Sequence, residues 1–443
     1  MELLGAGSPI WAPPVQLPGC SILDRVSGRL QVGCQVTEPR DRRQWTESQK
    51  KKEGGGRRVC DGLGLSLLAR DCLSDNMLKR LTGIRAVAAI FVVFFHFGDD
   101  FTVLFHPLRL LRSVYRSGDM GVDLFFILSG FILSLNYLDA FESFSPREYF
   151  DFLRARLARI YPVHLFTLLL LGGLVLAARH YGVHVPAENH TGFTFFTNLF
   201  LVQVWPGFFR GLNWNLPAWS ISAEWFVYLV FPFLALRIAR VKNPIQWSGI
   251  LLAIFIVSSF FGARASLSWS LLRVTCEFFA GCMLYRVYRA GVQCPIKPWL
   301  AGLLSMSVCV ACMQFGVTKS IVLPFLALLI WGLAAYPDGL LSGRTAVYWG
   351  QVSYSLYMTH GICQIVLNRV LPVDRFQAAS LLVRLSVIVA YLAVVAAAAV
   401  ATFHLVEEPA RKWLRKRPTV KSSPTEENIA RAISEPVAET VSA

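Results

Sequence analysis

A chain of 443 residues that is 54% hydrophobic, only 16% charged and carries a formal net charge of +15 lacks the polar side chains to clothe a soluble surface of its size. Global disorder, a coiled coil, collagen and a small disulfide scaffold are excluded, because none of them strings apolar runs of bilayer length in series. The Lys and Arg residues fall between apolar runs, so the positive charge reads as the cytoplasmic bias of a helical membrane protein rather than as a nucleic-acid footprint.

Residues 1–76 contain Pro13-Pro14, a Lys50-Lys51-Lys52 run and Gly54-Gly55-Gly56, with no run of bilayer length and no secretory signal. They are expected to be a disordered extension or to reflect a mis-assigned start, with the membrane protein proper beginning at Met77. From there apolar runs follow at about 83–105, 120–138, 160–178, 221–236, 248–262, 268–287, 298–316, 319–336, 350–370 and 380–403, most of them long enough for a helix to cross the hydrocarbon core. A further run, 193–205, is too short for a comfortable crossing.

The basic clusters decide the count. If 193–205 does not cross and the N-terminus is inside, then Arg154/Arg156/Arg159, Arg237/Arg240/Lys242, Arg286/Arg289/Lys297 and Arg411 to Arg417 all fall on the cytoplasmic side. The expected fold is therefore all-α and polytopic, with about ten transmembrane helices over 77–417 and both termini cytoplasmic. Residues 418–443, rich in Ser, Thr, Glu and Pro, read as a disordered cytoplasmic tail. Arg109, Arg112 and Arg116 fall on the outer side and escape this bias; they either face an anionic acceptor or lie at the interface. Among the 10 cysteines no disulfide framework is evident, and Cys309 and Cys312, inside an apolar helix, read as small core residues rather than metal ligands. No metal site is expected.

Ionisable groups inside apolar runs are costly, which makes each a functional candidate by default. His96 lies in the middle of the first run, eleven residues after Arg85. That is close to three helical turns, so both project from one face about 16 Å apart. Such spacing suits a long donor with a phosphorylated head and a reactive far end, as in acyl-coenzyme A; Asp100, four residues past His96, shares its face. Asp123 opens the second run and could orient an imidazole through one ring nitrogen. Ser129-Gly130, farther along it, suits close helix approach.

Arg156 and Arg159 sit at i,i+3 at the head of the third span, explicable by interfacial anchoring but also suited to phosphate. Glu224 falls in the first turn of the fourth crossing among Trp214, Trp219 and Trp225, which form either an aromatic belt or a carbohydrate-facing surface. Ser353-Tyr-Ser-Leu-Tyr-Met-Thr-His360 places a second histidine in an apolar helix, and Glu407-Glu408-Pro409 marks the last helix end. Gly-x-Ser-x-Gly, the phosphate-binding Gly-rich loop with Lys, His-Glu-x-x-His and a His followed five residues later by Asp are all absent from the sequence.

Taken in order, these segments resemble the membrane acyltransferase-3 family of bacterial O-acetyltransferase-like proteins. The resemblance rests on Leu81-Thr-Gly-Ile-Arg-Ala-Val-Ala-Ala with His96, Gly121-Val-Asp-Leu-Phe-Phe-Ile-Leu-Ser-Gly-Phe, Arg156-Leu-Ala-Arg-Ile-Tyr-Pro, Trp219-Ser-Ile-Ser-Ala-Glu-Trp-Phe-Val-Tyr with Pro232, the His360 segment and Glu408-Pro409. It implies transfer of an acyl group from cytoplasmic acyl-coenzyme A, acetyl-coenzyme A first among donors, to a hydroxyl of a glycan or lipid-linked saccharide. By the resemblance His96 is the essential first-span histidine, Arg85 its paired arginine and Arg156 with Arg159 the donor motif, while Asp123 and Glu224 match characteristic acidic positions. No tightly bound cofactor is expected. The location implied is the inner or plasma membrane, with envelope-assembly proteins as separate partner chains. The rival reading is a proton-coupled transporter with His96, Asp123, Glu224 and His360 as a relay.

Overall fold

The computed structural model describes residues 20–26, 29–34 and 62–415, apart from 142, 187–188, 212–213, 242, 263–266, 293–296, 317–318 and 336–339. The expectations for the other residues of 1–76 and for the tail 418–443 lie outside the described residues. In the N-terminal unit, Met1–Ser66, strands β1 (Cys20–Val26) and β2 (Arg29–Cys34) pair as an antiparallel hairpin with Cys20 opposite Cys34.

The second unit, from Leu67 onward, is built of helices joined by turns and irregular stretches among its described residues. Its elements are α1 (Gly62–Leu104), α2 (Arg112–Arg116), α3 (Met120–Tyr137), α4 (Pro146–His180), α5 (Gly192–Leu199), α6 (Ala218–Arg240), α7 (Pro244–Gly262), α8 (Leu267–Arg289), α9 (Pro298–Gln314), α10 (Lys319–Ala335), α11 (Arg344–Val370), α12 (Leu381–Thr402) and α13 (Glu408–Arg415). Each of the ten apolar runs coincides with a helix. Five helical stretches among the described residues are long and apolar enough to cross a bilayer: Met77–Leu104, His106–Tyr137, Pro146–His180, Ala218–Arg240 and Leu381–Leu414. Shorter apolar helices lie at Gln246–Val257, Pro298–Gln314 and Ile321–Ala335.

Local chemistry sets the helix ends. Ser145 accepts from the Glu148 amide with Pro146 at the first helical position of α4, and Thr191 and Thr194 close a capping box on α5. Arg237/Arg240 and Arg286/Arg289 occupy the last turns of α6 and α8, where the helix dipole favours cations. Small residues then set how closely the helices pack. A Cβ at Gly130 would lie 1.9 Å from the Phe278 carbonyl oxygen, and one at Gly281 would lie 1.9 Å from that of Ile127. The crossing of α3 and α8 is thus fixed by two reciprocal glycines. Gly350 meets the Thr82 carbonyl in the same way, which brings α11 against α1.

The short run 193–205 forms α5 and then leaves the helix. The end of α5 and the irregular stretch beyond it pack against the middle of two long helices: the Asn198 carbonyl lies 2.8 Å from His164 Nε2 on α4, and Asn215 Nδ2 donates to the Met358 carbonyl on α11 at 2.9 Å. Side-chain hydrogen bonds tie this stretch to the start of α6. Ser222 Oγ donates to the Leu201 carbonyl at 2.7 Å, Gln203 Nε2 donates to that of Ala218 at 2.8 Å and Trp205 Nε1 donates to that of Ser222 at 3.3 Å. Non-helical backbone among apolar spans persists only when satisfied in this manner.

Candidate active site

The helices α1, α3, α4, α6 and α11 enclose a cavity of about 140 Å³. Arg85, Arg156 and Arg159 stand in its wall with Glu224 and the hydroxyls of Ser129, Ser220, Tyr228, Ser353, Tyr354 and Tyr357. Four residues named from the sequence, Arg85, Arg156, Arg159 and Glu224, therefore share one site although they come from three separate helices. Glu224 sits in the second turn of α6 rather than its first, because the helix already begins at Ala218.

One of the three arginines is ion-paired, and tyrosine hydroxyls meet Arg156 and Glu224. Arg159 Nη1 lies 3.3 Å from Glu407 Oε1, and Ser355 Oγ donates to the other oxygen of that carboxylate at 2.6 Å. Glu407 closes a π-helical turn, Phe403–Glu407, inserted between α12 and α13. Such an insertion re-aims the side chains that follow it and recurs at functional sites. Glu224 accepts a short hydrogen bond from Tyr228. Arg156 Nη2 donates to the Tyr137 hydroxyl at 3.0 Å, and its guanidinium lies over the Tyr137 ring at 5.1 Å. Arg85 shares the electrostatic neighbourhood of Arg159, Glu407 and Glu224.

His96 lies outside this wall, farther along α1. Its ring centroid is 4.8 Å from that of His360 on α11, and His360 is 5.9 Å from Tyr357, which does line the cavity. Tyr357 Oη and Ser220 Oγ are 2.8 Å apart. One face of α11 thus carries Tyr354, Tyr357 and His360 at i,i+3 spacing, running from the arginines to His96. Gln364, one turn on, donates to the His96 carbonyl at 2.7 Å and to Asp100 Oδ2 at 3.3 Å. The irregular stretch reaches this level as well, since a Cβ at Gly361 would be 3.4 Å from Pro217 and 3.7 Å from Asn215 Oδ1. Trp214 precedes it at φ +50, a left-handed conformation uncommon for such a residue.

Asp123 is placed elsewhere. It pairs with Arg273 at 3.3 Å, and Arg273 also lies 3.4 Å from Glu277 on its own helix α8. No hydrogen bond joins Asp123 to His96, so the orienting contact expected between them is not formed. Arg112 and Arg116 find a partner within the chain: Asp99 accepts from Arg116 at 2.8 Å and lies 3.7 Å from Arg112. Arg109 is exposed. Cys309 is buried in the core and free.

Sequence reasoning missed Tyr228, Tyr357 and Glu407 as parts of this site and held His360 only in a relay. The repeated polar positions of Ser353 to His360 were the available signal for α11. Glu407 offered only its place beside Glu408-Pro409, because a π turn leaves no mark in a 3.6-residue pattern.

A family profile described as an acyltransferase domain matches residues 78–404. Acyltransferase MdmB of Streptomyces mycarofaciens is 31% identical over 322 residues, covering 64% of this chain and 78% of the relative. Protein 2 in the picA locus of Rhizobium radiobacter is 32% identical over 167 residues, covering 34% of this chain and 78% of its own. ORF330 of Acidianus two-tailed virus, whose name carries the word acetyltransferase, is 23% identical over 318 residues, covering 68% and 88%. No solved structure matches the chain.

Proposed function

The chain belongs to the acyltransferase-domain family and is a membrane acyltransferase, and from that premise we propose that it moves an acyl group from cytoplasmic acyl-coenzyme A to a hydroxyl of a cell-envelope or secreted glycan. The observation that carries this reading is the path from three cavity arginines, through Tyr357 and His360, to His96. Guanidinium groups suit the phosphates of the donor head, while the thioester extends along the hydroxyl-lined wall toward the histidines. The continuous helix α1 sets Arg85 and His96 about 16 Å apart along its axis.

In the proposed reaction His96 takes the proton of the acceptor hydroxyl as its oxygen attacks the thioester carbonyl; the carbon–sulfur bond breaks and coenzyme A leaves as thiolate. Glu224, oriented by Tyr228 on its own helix, sets a carboxyl group among the cavity arginines, and Asp123 anchors α3 to α8 through Arg273. The protein sits in the inner or plasma membrane with both termini cytoplasmic, which puts the arginine side of the cavity toward the donor. A glycan-handling chain from envelope assembly is the natural partner.

The test supplies labelled acetyl-coenzyme A to membranes holding the protein or its His96→Ala variant, and follows label into an envelope glycan fraction. Incorporation by the wild type falls by a factor on the order of 10² to 10⁴ in the variant, which stays inserted. Undiminished incorporation by the variant refutes the role given to His96. Flux of protons across vesicles without coenzyme A would favour a transporter instead.

A further inference from the structure

His360 is fully buried, and neither ring nitrogen reaches a partner with the geometry of a well-formed hydrogen bond. Its nearest backbone acceptors are the carbonyls of Leu356 and Tyr357, one turn back on its own helix. A buried imidazole left without a hydrogen bond loses the stabilisation that usually justifies its presence. Its one close aromatic neighbour toward α1 is His96, at 4.8 Å between centroids. At that separation the ring radii leave room for a single N–H···N hydrogen bond once either ring turns about its Cβ–Cγ bond. On the other side Tyr357, 5.9 Å away, hydrogen-bonds Ser220 at the cavity wall.

We propose that His360 is the positioning residue that takes the proton from His96 and returns it to the donor side, by way of the Tyr357 and Ser220 hydroxyls. The inference rests on the acyltransfer reading above. The balance needs one proton moved, since the hydroxyl that attacks must lose it and the thiolate that leaves must gain it, and these side chains offer a route. His96 receives the hydroxyl proton on its bare nitrogen and releases the proton from its other nitrogen to His360. His360 passes a proton on in the same way, and the Tyr357–Ser220 pair hands one to the sulfur. Both imidazoles end neutral, with the ester and the free thiol as products. Gln364 fixes this geometry, since its amide ties the His96 backbone on α1 to α11.

Two donors distinguish this role from a structural one. Acetyl-coenzyme A leaves as an alkyl thiolate that needs a proton, whereas S-(4-nitrophenyl) thioacetate leaves as a weakly basic aryl thiolate that does not. For His360→Gln and Tyr357→Phe, kcat with acetyl-coenzyme A is expected to fall about 100-fold with KM for the donor unchanged, while the loss with the aryl thioester stays within about tenfold. Tyr357→Phe keeps the ring and its packing, so it reports even if His360→Gln inserts poorly. Equal losses with both donors, or full activity with acetyl-coenzyme A, would overturn the relay and leave the acyltransferase reading standing. Failure of the wild type to use either donor would refute that reading and the relay with it.

Discussion

Arg159 sits 3.3 Å from Glu407, a carboxylate that is 1% exposed and also accepts from Ser355. Removing one member of such a pair leaves the other charge poorly solvated, at a cost of about 3–5 kcal/mol. Glu407→Ala is therefore expected to lower stability by that order, measured by thermal unfolding in detergent. The double variant with Arg159→Ala should recover part of the loss, because the stranded cation is gone. The same reasoning explains which residues could be found from sequence. Arg85, Arg156 and Arg159 announce themselves by lying at or inside apolar runs. The counterion of Arg159 does not, because Glu407 lies far away along the chain, and neither does Arg273, the equally distant partner of Asp123. Arg112 and Arg116 were puzzling as outer cations only until Asp99, more than a turn deep from the end of α1, accounted for them.

Between α3 and α8 the distance of approach is set by Gly130 and Gly281, each facing a carbonyl oxygen of the other helix. An alanine at either position would place its Cβ at 1.9 Å from that oxygen, so the helices must part. Gly130→Ala and Gly281→Ala are each expected to cost about 1–3 kcal/mol or more, seen as a lowered midpoint of thermal unfolding. Because α3 also lines the cavity through Phe125 and Ser129, the shift should reach transfer activity too. At this scale the helices were legible: each apolar run became one, and Ser129-Gly130 was readable as a packing site. The stretch from α5 to α6 was not. Its turns depend on Ser222, Gln203 and Asn215 bonding backbone carbonyls on other segments, and period alone does not reveal such contacts.

For the molecule as a whole, the clustering of Lys and Arg at 154–159, 237–242, 286–297 and 411–417 predicts an orientation with these basic helix ends inside. A fluorescent protein fused after the C-terminus should fold and fluoresce, whereas an alkaline phosphatase fused there should be inactive; the opposite pair of results would reverse the proposed topology. The wall of the cavity has a further consequence for how the protein is made. Arg85, Arg156 and Arg159 are synthesised well before Glu407, which completes their surroundings. At roughly 5–20 residues per second, Arg159 waits on the order of ten to fifty seconds for that carboxylate. A ribosome-bound chain thus holds the Arg159 guanidinium among apolar helices before its counterion exists, and water or anionic lipid headgroups must serve in the interval. Biogenesis, more than the finished bundle, should then be the stage most sensitive to the lipid composition of the membrane.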